Sequence, residues 1–305
     1  MRQDFLWGID LGGTKIEGVV LKQTDDTEVI FRSRVPTEAD KGYTSVVDQI
    51  KKLVNRMENE VGQSPCALGI GSPGIIDPLS GKLKNSTNAT CLNNKPIQKD
   101  LEIYLGVPIK MANDANCFAI AEARHGAVKH NYPDASVVFG VIIGTGVGGG
   151  VVVNNSLING RHGIGGEWGH NFLDDSGYQC HCGKKGCVES VISGRALEYY
   201  YRKESGIELD LENIVSRAEN STDEVAQKTM TRLFHYFGKA IAVVVNILDP
   251  DVIVIGGGVS NIDSMYTKGR AEIQSHIFNN RFDTPIIRPM LGDASGVIGA
   301  AYLTI

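Results

Sequence analysis

The chain has 305 residues, more than one hydrophobic core usually organises, so two domains or one large domain with a deep cleft are expected, and an enzyme is favoured over a small module. With 42% hydrophobic and 21% charged residues, the composition excludes disordered, fibrous and membrane classes. The formal charge of −5 is spread along the chain without a long run of Lys and Arg, which argues against a nucleic-acid partner.

Met1-Arg2-Gln3-Asp4 leads straight into a short apolar run that meets Asp10, so no signal-peptide pattern is read there. No apolar run reaches the roughly 18 residues that a membrane helix needs. A cytoplasmic protein is expected. Its six cysteines then do not form a disulfide framework: Cys66, Cys91 and Cys117 read as isolated, small buried residues, whereas Cys180, Cys182 and Cys187 form a cluster that needs a chemical reason.

The first predicted element is a hairpin: Phe5 to Leu11, the turn Gly12-Gly13-Thr14 before Lys15, and a return strand over Ile16 to Leu21. Phosphate must meet backbone N–H groups at close range, and side chains on the turn would obstruct it. Asp10, just before the turn, can hold magnesium through water. Lys15 either adds positive charge or is simply solvated. From Tyr43 to Val61, apolar residues at Val46, Val47, Ile50, Leu53, Val54 and Met57 keep the 3.6 repeat of a helix. Ala67 to Gly74 then reads as an apolar strand running into a glycine loop.

In Met111-Ala112-Asn113-Asp114, followed by an alanine-rich helix, Asp114 stands where the helix begins. It reads either as an N-cap, worth about 1 kcal/mol, or as a general base taking the proton from a hydroxyl that attacks a γ-phosphate. A second hairpin follows over Val137 to Val153, with Gly144-Thr145-Gly146-Val147-Gly148-Gly149-Gly150 as its glycine segment. Neither hairpin matches the Gly-x4-Gly-Lys-Ser/Thr loop or the dinucleotide fingerprint, so a dinucleotide enzyme is disfavoured.

Next come Gly166-Glu167-Trp168-Gly169-His170 and Cys180-His181-Cys182-Gly183-Lys184-Lys185-Gly186-Cys187-Val188-Glu189. His170, Cys180, Cys182 and Cys187 match a tetrahedral Cys₃His zinc site, and the two glycines suit a tight knuckle. His181 is expected to face outward. With four protein ligands no position is left for water, so the metal is structural and fixes Glu167 and Glu189 near the substrate. A long helix is predicted from about Asp223 to Leu248, ended by Asp249-Pro250, and a second strand-and-glycine unit over Val252 to Gly258. The hairpin and the strand-plus-glycine unit thus occur twice, the mark of two related α/β lobes with their glycine loops along a cleft.

Together these segments resemble the ROK family of repressors, open reading frames and kinases, whose zinc signature Cys-x-Cys-Gly-x-x-Gly-Cys-x-Glu is complete from Cys180 to Glu189. The resemblance runs through Asp10-Leu-Gly-Gly-Thr-Lys, Asn113-Asp114, Gly144-Thr-Gly-Val-Gly-Gly-Gly, Glu167-x-Gly-His170 and Gly256-Gly-Gly. It implies a two-lobed α/β fold of the actin-like ATPase, ribonuclease H-like type with a zinc-binding insertion in the second lobe. It also implies Asp114 as base, and sugar binding by Asn88, Asn93, Asn113, Asp114, Glu167, His170 and Glu189. ATP would be held by Asp10, Gly12, Gly13, Thr14, Lys15, Gly144, Thr145 and Gly146, with Gly257 and Gly258 near the adenosine, and zinc by His170, Cys180, Cys182 and Cys187.

Lobes are expected over 1–113 and 114–305, with a C-terminal helix at about 293–305 packing back on the first and the knuckle at about 167–189. The implied cofactors are ATP with Mg2+ and structural Zn2+. Sugar and ATP are the implied partners of a homodimer, with neither nucleic acid nor membrane. Gly71 to Asp77, Lys84 to Asn88, Leu92 to Pro96, Gly166 to Asn171 and Asn246 to Val252 look most like manno(fructo)kinases. Phosphorylation of fructose or mannose at O6 is therefore the first expectation, and N-acetylglucosamine or glucose the alternative. The competing class, a sugar-sensing repressor of the same family, is disfavoured because only nine residues precede Asp10.

Overall fold

A computed structural model describes residues 4–23 and 28–305; the Met1–Gln3 start used above lies outside the described residues. The chain divides into two units, Met1–Asn131 with Asn155–Gly165 and Met290–Ile305, and Tyr132–Asn154 with Gly166–Pro289.

In the first unit, β1 (Phe5–Leu11) and β2 (Lys15–Lys22) pair antiparallel from Phe5↔Lys22 to Leu11↔Ile16, and β3 (Glu28–Pro36) extends β2. On the other side of β1 lie β4 (Leu68–Ser72) and β7 (Ile109–Asn113), both parallel, giving the order β3-β2-β1-β4-β7. The small hairpin of β5 (Ile75–Ile76) and β6 (Leu83–Lys84) stands apart from this sheet.

Strand alternation decides what each face carries. Trp7, Ile9 and Leu11 of β1, with Leu68 and Ile70 of β4, enter one core with α1 (Tyr43–Val61) and α2 (Ile97–Leu105). The predicted stripe of α1 is the buried one, Val46, Val47, Ile50, Leu53, Val54 and Met57; each such side chain contributes about 1.5–3 kcal/mol of burial. The opposite face carries Gly8, Asp10 and Gly69. There α10 (Ser295–Tyr302) lies against the strand backbone: a Cβ on Gly69 would sit 1.7 Å from the Ala300 carbonyl oxygen. On the far side of α10, Gly299 meets the Cys117 carbonyl of α3 (Asp114–Arg124) with equally little room. The helix starting at Asp114 therefore packs within the first unit, where the sequence boundary at 113 assigns it to the second lobe. The excursion of β10 (Ser156–Leu157) and α4 (Ala127–Asn131) also belong to this unit.

In the second unit β8 (Val137–Ile143) and β9 (Val147–Val153) form the antiparallel hairpin, and β11 (Val252–Gly256) and β12 (Ile286–Ile287) add in parallel, in the order β9-β8-β11-β12. This repeats β2-β1-β4-β7 of the first unit. Only Gly144 to Gly146 form the turn; Gly148 to Gly150, expected within the glycine loop, belong to β9. The indole of Trp168 explains the difference, because it packs where a Cβ on Gly149 would stand, 2.4 Å from Cδ1, and donates from Nε1 to the Gly148 carbonyl at 3.0 Å.

Around this sheet lie α5 (Val188–Ile192), α6 (Gly194–Ser205), α7 (Leu211–Glu219), α8 (Glu224–Leu248) and α9 (Lys268–His276). The Asp223 carboxylate caps α8, accepting from Val225 N at 2.9 Å and Ala226 N at 3.0 Å. Of the isolated cysteines Cys117 is buried, but Cys66 is exposed, contrary to expectation, because it sits in the loop between α1 and β4 rather than under an element. Among the described residues no helix is long and apolar enough to cross a membrane.

Candidate active site

In the first unit the turn Gly12-Gly13-Thr14 is braced by buried Thr37, whose hydroxyl donates to the Gly12 carbonyl at 2.7 Å and whose amide donates to the Thr14 carbonyl at 3.0 Å. Thr14 and Lys15 are exposed beside it. Asn88 lies against the turn: a Cβ on Gly13 would stand 2.6 Å from the Asn88 carbonyl oxygen. Gly13 thus serves a close backbone approach within the protein, whatever it offers a ligand. The exposed side chain of Asn88 contrasts with Asn93, whose amide accepts from Ser86 N at 2.9 Å and donates to Ser86 O at 2.8 Å. Asn93 therefore clamps the loop that carries Asn88.

Asp10 leaves β1 on the face covered by α10, close to Gly296 at the start of that helix. Burial, then the charge of Glu17, pushes its carboxyl above the usual range, against the opposing pull of Lys15 and Arg34. Glu17 is buried, which by itself would raise its pKa; bonds from Arg32 and from Arg34, the latter at 2.9 Å, outweigh this and lower it.

The capping role considered for Asp114 belongs to its neighbour. Asn113 Oδ1 accepts from Asn116 N at 2.8 Å, and Asp114 is the first residue of α3. Its carboxyl is open to water at its surface, yet protein crowds it from behind. That desolvation, then the like charge of Asp10, pushes its pKa up to about 7. Water reaching its oxygens works against the shift without reversing its direction.

In the second unit the hairpin turn is closed by Gly144 N donating to Gly146 O at 2.9 Å and tied to α6 by Gly194 N donating to Gly144 O at 2.7 Å. Glu189, in the first turn of α5, joins this hairpin to the cysteine cluster. Its Oε2 accepts from Val147 N at 3.0 Å and would stand 2.7 Å from a Cβ on Gly146, while Oε1 lies 3.0 Å from His181 Nδ1 and 3.6 Å from Cys180 Sγ. His181 is exposed, as expected, but works as a partner of Glu189.

His170, Cys180, Cys182 and Cys187 place one donor atom each within 4.8 Å of one another. Cys182 Sγ is 3.5 Å from Cys187 Sγ, far beyond a disulfide bond, and Cys180 Sγ is 3.6 Å from His170 Nδ1. Ligands at about 2.0–2.3 Å from zinc in a tetrahedron stand about 3.4–3.8 Å apart, so both separations fit that ion. Gly183 and Gly186, at φ 86° and 77°, allow the tight turns between ligands. The other nitrogen of His170, Nε2, faces Glu167 Oε2 at 4.0 Å. Gly257 follows β11 at φ 80° with Ile143 against it, and Gly258 faces open space.

Several supporting residues escaped the sequence reading. Glu122, fully buried in α3, accepts from Ala127 N at 2.8 Å, Met290 N and Leu291 N at 3.1 Å and Ser295 Oγ at 3.2 Å, and so anchors the start of α10 beside α3. Its only sequence signal is a carboxylate within an otherwise apolar helix. Thr37 and the Glu17 pair with Arg32 and Arg34 gave none.

The model of the ROK family matches residues 6–305. N-Acetyl-D-glucosamine kinases of Haemophilus influenzae and Vibrio cholerae are 35% and 33% identical over 97% and 98% of this chain, covering 98% and 99% of their own lengths. Among solved structures, a ROK hexokinase from Thermus thermophilus is similar with a TM-score of 0.87 at 32% identity, over 98% of this chain and 97% of its own. A ROK family glucokinase from Streptomyces griseus, solved with glucose and AMPPNP, gives 0.76 at 27%, over 98% of both chains. With the match running through nearly the whole sequence and both units, the chain belongs to the ROK family and stands among its sugar kinases.

Proposed function

We propose that the protein transfers the γ-phosphoryl group of ATP to the primary hydroxyl, O6, of N-acetylglucosamine. The relatives named above support this acceptor over fructose or mannose, the first expectation from the loop sequences. The observation that carries the mechanism is the carboxyl of Asp114, relieved of capping by Asn113 and raised toward neutrality. A base poised near the working pH is effective in proton transfer, which contributes roughly 10²–10⁴-fold.

In the step itself the sugar oxygen forms a bond to the γ-phosphorus, the bond to the ADP oxygen breaks, and the hydroxyl proton passes to Asp114, which returns it to water. The turns Gly12 to Thr14 and Gly144 to Gly146 are suited to the phosphates, and Gly258, with open space beside it, to the adenosine. Asp10 would hold Mg2+ through water, and that ion supplies charge neutralisation at the phosphates.

Glu189, Glu167 and His170 Nε2 would accept from or donate to sugar hydroxyls. His170 Nδ1 and the sulfurs of Cys180, Cys182 and Cys187 would hold zinc, which supplies a crosslink with no open position. Because Glu189 touches both the knuckle and the hairpin turn, its carboxylate would be oriented by zinc held at the four ligands, which is how the knuckle would bear on function. Rates of ADP formation with N-acetylglucosamine, glucose, mannose and fructose test the reading. N-Acetylglucosamine should give the highest kcat/KM; a higher value for fructose, or no stimulation by any sugar, would contradict it.

A further inference from the structure

Away from these residues, the second unit brings His235 of α8 together with Glu272 and His276 of α9. His235 Nδ1 lies 3.3 Å, and His276 Nε2 3.7 Å, from the same oxygen, Glu272 Oε2, and one donor atom from each residue falls within 4.8 Å of the others. Glu272 and His276, four residues apart, share one face of α9.

Backbone packing sets this meeting. A Cβ on Gly238, one turn beyond His235, would stand 2.4 Å from Glu272 Cβ and 2.6 Å from its carbonyl carbon, so the two helices touch with no side chain between them. The three side chains are half-buried, 44%, 37% and 29% exposed for His235, Glu272 and His276, and the imidazole rings stand 5.4 Å apart at 71°. Carboxylate and imidazoles are thus gathered on a fixed helix crossing.

We propose that His235 Nδ1, the Glu272 carboxylate and His276 Nε2 form a second metal site that takes a divalent transition cation of the zinc class, with water completing its shell. Two imidazole nitrogens and one carboxylate select such a cation over magnesium or calcium, which prefer oxygen donors. Nitrogen and oxygen ligands at about 2.0–2.2 Å from zinc stand about 3.3–3.6 Å apart in a tetrahedron, which the 3.3 Å contact meets and the 3.7 Å contact approaches. Unlike the knuckle, the site keeps open positions at the solvent. The bound ion ties α9 to α8 and stabilises the second unit without touching the residues proposed for phosphoryl transfer.

The competing account is a metal-free pairing of Glu272 with the two histidines. Equilibrium dialysis of the tag-free protein, as purified, against graded free Zn2+ separates the two when wild type is compared with His235→Gln and His276→Gln. Each variant should bind one zinc fewer per chain than wild type, and added zinc should raise the melting temperature of wild type more than that of either variant. The rate of N-acetylglucosamine phosphorylation should stay within about twofold. The readout is a difference, so it does not depend on the knuckle. Equal zinc in wild type and both variants would overturn the site; if a histidine variant fails to fold, Glu272→Gln gives the same reading.

Discussion

Replacing Asp114 by Asn should stabilise the protein while disabling it. The carboxyl titrates at about 7 in the folded chain against 3.8 for the free group, because desolvation and then the Asp10 charge disfavour the carboxylate. A carboxyl raised in this way opposes folding wherever the unfolded chain has ionised it. The penalty is absent below about pH 4, grows with pH and is complete above about pH 7. The whole span corresponds to about 4 kcal/mol, but water reaches the Asp114 oxygens and returns much of it, leaving on the order of 1–2 kcal/mol. Asparagine keeps the shape and carries no charge. Thermal unfolding of the Asn variant should therefore show a higher midpoint than wild type at pH 8, with the gap narrowing at pH 5. A variant no more stable than wild type at pH 8, or a gap independent of pH, would show that the ionised Asp114 carboxylate does not oppose folding.

Asp10→Asn removes a charge that raises Asp114, so in the remaining activity the acid limb of kcat/KM should move to lower pH; an unmoved limb would separate the two carboxylates. Cys182→Ser should raise the sugar KM strongly, through Glu189, while far-ultraviolet circular dichroism stays largely intact, because the knuckle is a local segment of a unit with its own core. Normal sugar kinetics in a zinc-free variant would oppose this. Gly69→Ala, whose Cβ would meet the Ala300 carbonyl at 1.7 Å, should cost about 3 kcal/mol in denaturant unfolding; a loss below about 1 kcal/mol would show that α10 can shift.

Helices were most legible where one face alone is apolar. The stripe of α1 is legible residue by residue, and α8 by its apolar repeat from about Asp223 and its end at Asp249-Pro250, because the 3.6 repeat is a local property; the Asp223 cap appears only in the structure. The hairpins were legible as strand, glycine turn and strand, but not where the second turn stops. Gly149 lies in a strand because of an indole at residue 168, a contact no local pattern encodes. The course of the chain between units was hidden for the same reason: the return of residues 155–165 to the first unit, and the seating of α3 with α10, depend on distant packing.

Within the candidate site, spacing was enough to gather His170 with the three cysteines. It did not reveal that Asn93 spends its amide on Ser86, that Asn113 rather than Asp114 caps α3, or that Glu122 holds segments more than 160 residues apart. His235, Glu272 and His276 lack any motif, since their meeting rests on the helix crossing at Gly238.

With Asp114 as the proposed base, phosphoryl transfer to a sugar should depend on its carboxylate. The most direct test is kcat for N-acetylglucosamine-dependent ADP formation, wild type against Asp114→Asn, with both substrates saturating and the phosphorylated sugar identified as the product. Wild type should turn over and the variant should be slower by about 10²-fold or more, with little change in the KM for ATP. A variant that keeps more than about a tenth of the wild-type rate would contradict the assignment of Asp114.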